Sequence, residues 1–130
     1  MKKTILMEKY PTFELKIPKN ETKYTSVDEI IEYFKSKIET HPVAAYIATF
    51  DHYDHTKSLS DGSIASEILD AKNIIFCFGK ELPKPHVMSI RPRSIGVAEF
   101  KDSFFVGFME APNPAANDAM ESWIKGLIVA

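Results

Sequence analysis

Two short stretches carry residue types that do chemistry. The first is Asp51-His52-Tyr53-Asp54-His55. If it opens a helix, His52 and His55 lie on one face, because residues three apart are neighbours on a helix surface. Two imidazoles with a nearby carboxylate form a half-site for a divalent metal such as zinc, iron or nickel. A third ligand must complete it, and Asp51, His86, Glu110 and Cys77 are the candidates. The same residues also have a structural use: Asp51 and Asp54 can cap a short helix while the histidines sit at the surface. Histidines three apart lack the specificity of a complete metal motif, which favours the structural use.

The second stretch is Arg91-Pro92-Arg93, and these are the chain's only arginines among 16 basic residues. A guanidinium is a planar fork that grips carboxylate or phosphate with two parallel hydrogen bonds. The proline between them stiffens their presentation. With Lys84 and His86 just upstream, the pair reads as a holder for an anionic group. Asp51, His52 and Gly79, at the ends of expected strands, would line the same pocket. The competing use is a pair of structural ion pairs to Glu99, Asp102 or Glu110.

Cys77, the only cysteine, lies inside the apolar run IIFCF and reads as core, where a thiol without a basic neighbour is inert. There is no phosphate-cradling GxxxxGK[ST] or GxGxxG, and no Gly-x-Ser-x-Gly elbow. The chemistry therefore leans toward binding rather than catalysis.

The chain's 130 residues suit one domain with a core of its own. A net charge of −2 argues against a nucleic-acid partner. A lone cysteine excludes an internal disulfide and suits a reducing compartment. The N-terminus, with three apolar residues between Thr4 and Glu8, is too short in hydrophobic length for a secretory signal. No run reaches the ~18 apolar residues of a membrane span. The cytoplasm is the expected location.

The elements that must position these residues follow from periodicity. Phe13, Leu15 and Ile17 alternate with polar residues, as in a strand with one buried face. The apolar run 4–7 either pairs with it as a hairpin or continues it as a bent edge strand. Ser26 and Glu29 form a capping box, and Val27, Ile30, Ile31, Phe34 and Ile38 follow at helical spacing up to His41-Pro42. Residues 43–50 read as a strand, and the Asp51 cluster opens a short helix. A helical turn is expected at 65–69. The continuous apolar run 74–78 predicts a strand buried on both faces near the middle of a sheet. Residues 94–100 and 104–109 form a hairpin around Lys101-Asp102-Ser103. Asn113-Pro114 starts a closing helix with Ala116, Met120, Trp123, Ile124 and Leu127 on its apolar stripe. The terminal residues Leu127, Ile128, Val129 and Ala130 either pack back on the sheet or meet another subunit. The expected fold is α+β: a mainly antiparallel sheet of four to five strands, two long helices on one face and a short third helix.

Four features in this order (SVDEIIEYFKSKIE, IATFDH, IIFCFG and RPRSIGVAEFKDSFFVGFMEAPNP) resemble a small bacterial family, domain of unknown function 302. The matching positions are Asp51, His52, Phe78, Gly79 and Pro92, within 26–114. The sequence departs from the family at Gly79-Lys80-Glu81-Leu82-Pro83, where Gly-Asn-Pro is usual. It also departs at Tyr53-Asp54-His55-Thr56, where an alanine-rich segment is usual. It is thus identified as a distant member or relative, and the resemblance implies an α+β fold and no activity.

The expectations are then a cytoplasmic, non-enzymatic binding or assembly module. Its ligand site would draw on Asp51, His52, Gly79, His86, Arg91 and Arg93, and hold a small anionic ligand. Helices on one face leave the other apolar, which predicts a homodimer. The alternative is a metal-binding protein or metal-dependent enzyme using Asp51, His52 and His55.

Overall fold

The alternation at Phe13, Leu15 and Ile17 does form a strand. A computed structural model describes residues 1–129 and shows six strands and three α-helices. The strands are β1 (Lys2–Leu6), β2 (Tyr10–Pro18), β3 (Ala45–Asp51), β4 (Asp70–Cys77), β5 (Arg93–Glu99) and β6 (Ser103–Met109). The helices are α1 (Val27–Thr40), α2 (His52–Ser58) and α3 (Pro114–Lys125). All strands join one antiparallel sheet in the order β1-β2-β6-β5-β4-β3. After the β1–β2 hairpin the chain crosses the whole sheet through α1. It then meanders back, β3 to β6, until β6 closes on β2.

Side chains alternate across the sheet, so one face collects the core. Paired positions Ile17 and Phe104, Val97 and Val106, and Ile74 and Ile95 are buried on that face. Against them pack Ile30, Phe34 and Ile38 of α1 and Met120, Trp123 and Ile124 of α3. The two long helices therefore share one face, as their stripes require. The opposite face is mixed and not the apolar surface expected: Thr12, Glu14, Asn73 and Ser94 lie beside Gly96, Phe105, Gly107 and Met109 over a shallow hollow.

Caps behave as their residues dictate. The Ser26 side chain accepts from the Glu29 amide at 3.1 Å. The Glu29 carboxylate reaches back one residue further than a capping box requires, accepting from the Thr25 amide and hydroxyl at 2.6 Å each. Asn113 accepts from the Ala115 amide at 2.9 Å, with Pro114 at the first helical position. Leu127 is buried and the Val129 amide donates to the Glu21 carbonyl at 2.8 Å, so this part of the terminal run packs back on its own chain. Ala130 lies outside the described residues.

Three further expectations need correction. The sheet has six strands rather than four or five, because Lys2–Leu6 and Tyr10–Pro18 form separate hairpin strands; the stretch 70–73 lengthens β4 without adding a strand. Polar residues have weak intrinsic strand preference, but β5 pairs with the whole stretch and β3 with Lys72 and Asn73. β4 is next to the edge strand and buried on one face: Ile74 and Phe76 are buried while Ile75 and Cys77 are half-buried. The expected helical turn at 65–69 is an isolated turn, closed by the Ile68 amide on the Ala65 carbonyl. No helix of the described residues is long and apolar enough to cross a membrane.

Candidate functional site

Arg93 is the first residue of β5 and lies on the helix-covered face, two positions before buried Ile95. That register aims its guanidinium at the start of α3. Arg91 precedes it across Pro92, with the Arg91–Pro92 bond cis. Together they line one cavity of about 100 Å³. The rest of its wall is Phe78 and Ile90, the linker residues Ala111 and Pro112, and Asn113 and Ala116 from the first turn of α3. Such a volume is several times what one water needs.

Backbone carbonyls fix each guanidinium. Arg91 Nη1 donates to the Glu81 carbonyl at 2.7 Å. Arg93 Nη2 donates to the Met109 carbonyl. Among the described residues neither arginine forms an ion pair with an acid. Glu99 pairs instead with Lys19 at 2.6 Å and Glu110 with Lys3 at 2.7 Å. Arg93 Nε is buried with no hydrogen-bond partner among the described residues. Burial without a countercharge pushes the Arg93 pKa down. A desolvated, unpaired guanidinium nitrogen is costly in a folded protein unless something meets it.

Gly79 belongs to this end of the sheet. A Cβ there would fall 3.1 Å from Arg91 Nη1 and 3.0 Å from Cys77 Sγ, so glycine is what lets the guanidinium lie against the chain. The Gly79 amide donates to Cys77 Sγ at 3.2 Å. Phe78 anchors the wall from behind. Its ring stacks on Trp123 at 5.6 Å, and His41 meets both rings edge-on.

The Asp51 cluster lies elsewhere. β3 and β4 are antiparallel, with Asp51 opposite Lys72 and Ala45 opposite Cys77. Asp51 and His52 are therefore at one end of this strand pair and Gly79 at the other. The expected pocket drawing on all of them divides in two. Asp51 caps α2, its Oδ1 accepting from the Asp54 amide at 2.9 Å, and its other oxygen is 3.5 Å from Lys72 Nζ. The amide bond, followed by Lys72, holds its pKa below the ordinary carboxylate value. His52 and His55 both pack near the Phe50 ring, at 5.4 and 5.3 Å. Glu110 is held by Lys3, and His86 is exposed in a 3₁₀ turn, Pro85–Ser89. The metal half-site is not completed: among the described residues no group of three His, Cys, Asp or Glu could hold an ion. A hollow of about 260 Å³ beside His52 is lined by Tyr53, Thr56, Ile64 and Ile68, with no acid or lysine in its wall.

Sequence reasoning singled out Arg91 and Arg93, which share one cavity, and Gly79, which lies against Arg91, but not Phe78, Ile90, Ala111, Pro112 and Ala116 as its walls. Asn113 was legible only as a helix cap. Nothing local marks these residues, since their juxtaposition depends on α3 returning over the end of β5.

The fold is α+β: one six-stranded antiparallel sheet covered on one face by two long helices. The chain belongs to the Family of unknown function (DUF6858), whose model matches residues 1–129. Among solved structures it resembles the uncharacterized conserved protein DUF302 from Bacillus stearothermophilus. The two share 12% identity over 90% of this chain and 94% of that one, with a TM-score of 0.56. At that identity the likeness is one of fold, and it agrees with the resemblance carried by the IATFDH, IIFCFG and hairpin segments. No curated protein matches the chain.

Proposed function

We propose that this protein is a non-enzymatic binding module whose Arg91–Arg93 cavity holds a small anion. One observation carries the reading: the chain's only two arginines line one cavity, and neither meets an acid among the described residues. Two like charges held close without a countercharge favour a bound anion over an empty site. The start of α3 adds the positive end of its dipole. Its first amides are already occupied, since Ala115 and Ala116 donate to Asn113. The arginines would thus supply the direct contacts.

Trp123 gives a direct test. It is the only tryptophan and stacks on Phe78, which lines the cavity. Titration with sodium acetate and with phosphate at constant ionic strength should change its fluorescence saturably. The change should vanish in Arg91→Gln. A flat or purely ionic-strength response in the wild type would overturn the reading.

The same reading takes a second copy of the chain as partner, over the open sheet face. Small residues there (Ser94, Gly96, Gly107) allow close approach of another sheet, and Phe105 and Met109 supply apolar area. Sedimentation should show a concentration-dependent dimer that Phe105→Lys abolishes. A monomer at all concentrations would remove this part alone.

A further inference from the structure

We propose that the occupant of the Arg91–Arg93 cavity is a small organic monocarboxylate with a short hydrocarbon tail. This rests on the anion-binding reading and names the class of anion. The wall is polarised. The guanidiniums of Arg91 and Arg93 supply its charge and Asn113 one further polar group, whereas Phe78, Ile90, Ala111, Pro112 and Ala116 present hydrocarbon. A phosphate carries acceptor oxygens in every direction, and several would face that hydrocarbon without a donor. A carboxylate gathers its acceptors at one end and leaves the other end apolar, matching both halves of the wall.

The supply of donors points the same way. Phosphate sites at helix starts rely on free backbone amides. Here the Ala115 amide is taken by the Asn113 side chain at 2.9 Å and the Ala116 amide by the Asn113 carbonyl at 3.1 Å. One nitrogen of each guanidinium is also committed, to the Glu81 and Met109 carbonyls. What remains includes the buried, partnerless Arg93 Nε. Two nitrogens remain on each guanidinium, and a carboxylate can meet such a planar edge with its two oxygens. A volume near 100 Å³ leaves room for a tail of a few carbons.

Calorimetric titration of the whole protein with formate, acetate, propionate, butyrate and inorganic phosphate, at fixed ionic strength, tests the assignment. Affinity should rise about fourfold per added methylene until the cavity is full. Phosphate should bind more weakly than propionate. Arg93→Lys, which keeps the charge but loses the fork, should weaken every carboxylate about tenfold. Ile90→Ala, at a residue 41% exposed and so tolerant of change, should flatten the chain-length series, weakening butyrate more than formate. Equal binding of phosphate and acetate with no gain from chain length would overturn the carboxylate assignment while the anion site stands. Absence of binding by every anion, or binding indifferent to Arg93→Lys and Arg91→Gln, would overturn both.

Discussion

The hydroxyl of Tyr33 in α1 donates to the carbonyl oxygen of Trp123 in α3 at 2.7 Å. This bond crosses between the two long helices and holds the last turn of α3 in place. Burial raises the Tyr33 pKa, as expected for a phenol kept neutral as a donor. Gly126 makes room for it, because a Cβ there would lie 2.2 Å from the hydroxyl. Tyr33→Phe should cost about 1 kcal/mol. Gly126→Ala should cost about 1–2 kcal/mol through lost bonding and local strain. In the Tyr33→Phe background the same Gly126→Ala change should become neutral or stabilising. The clash is gone, and the right-handed backbone at Gly126 suits alanine. Urea denaturation of the four proteins measures the coupling, and simple additivity would refute it.

The β1–β2 hairpin is strained by its turn residues. Met7 and Glu8 have φ of 55° and 61°, and the Lys9 amide closes on the Leu6 carbonyl at 3.1 Å. Two consecutive left-handed residues define a tight hairpin turn that favours Asn-Gly. Methionine and glutamate pay the Cβ clash instead. Replacing them with Asn-Gly should stabilise the protein by about 1–2 kcal/mol, read as a higher denaturation midpoint. No change in midpoint would mean that the turn relaxes at no cost.

Two helix starts should dominate the acid limb of stability. Hydrogen bonds from Thr25 lower the Glu29 pKa, and the Asp54 amide, then Lys72, lower that of Asp51. Carboxylates depressed in the fold stabilise it above their unfolded values near pH 4, and this is lost as pH falls through the folded values. Asp70 acts in reverse: burial raises its pKa, so its ionisation disfavours the fold as pH rises through the raised value. Melting followed from pH 3 to 7 should therefore fall below about pH 4. Asp51→Asn retains a capping oxygen without a titrating charge and should flatten that fall. Asp70→Asn should raise melting temperature on the neutral side. An unchanged acid limb in Asp51→Asn would count against this account.

Arg93 is expected to serve binding more than stability. Among the described residues its guanidinium is desolvated without a countercharge, and its one hydrogen bond is to the Met109 carbonyl. Arg93→Met keeps the length and removes both the unpaired charge and that bond. The two effects oppose, so stability should stay within about 1 kcal/mol of the wild type. Anion-dependent changes in Trp123 fluorescence should disappear. A loss of several kcal/mol would instead make Arg93 a structural residue.

Local chemistry made much of the chain legible in advance. Period-2 alternation at Phe13, Leu15 and Ile17, helical spacing from Val27 to Ile38, and the caps at Ser26, Asp51 and Asn113 are set by neighbours within a few residues. So are the ends of α1 at His41-Pro42 and the turn before Ser103. The α+β class, the antiparallel pairing and the single helix-covered face follow from these. The sequence alone also singled out Arg91 and Arg93 as the chain's only arginines, without deciding between an anion site and structural ion pairs.

Tertiary structure decided the rest, because strand order and register are long-range choices without a local signature. Pairing of β2 with β6 joins residues about ninety positions apart, and it sets six strands in one sheet. The antiparallel register of β3 on β4 sends Asp51 and His52 to one end and Gly79 to the other. The return of α3 over β5 brings Asn113 and Ala116 to Arg93. It also leaves the two arginines without an acid among the described residues, since Glu99 and Glu110 are drawn to Lys19 and Lys3. A charge becomes a site only when the fold withholds its countercharge, and that depends on distances in space that no stretch of sequence contains.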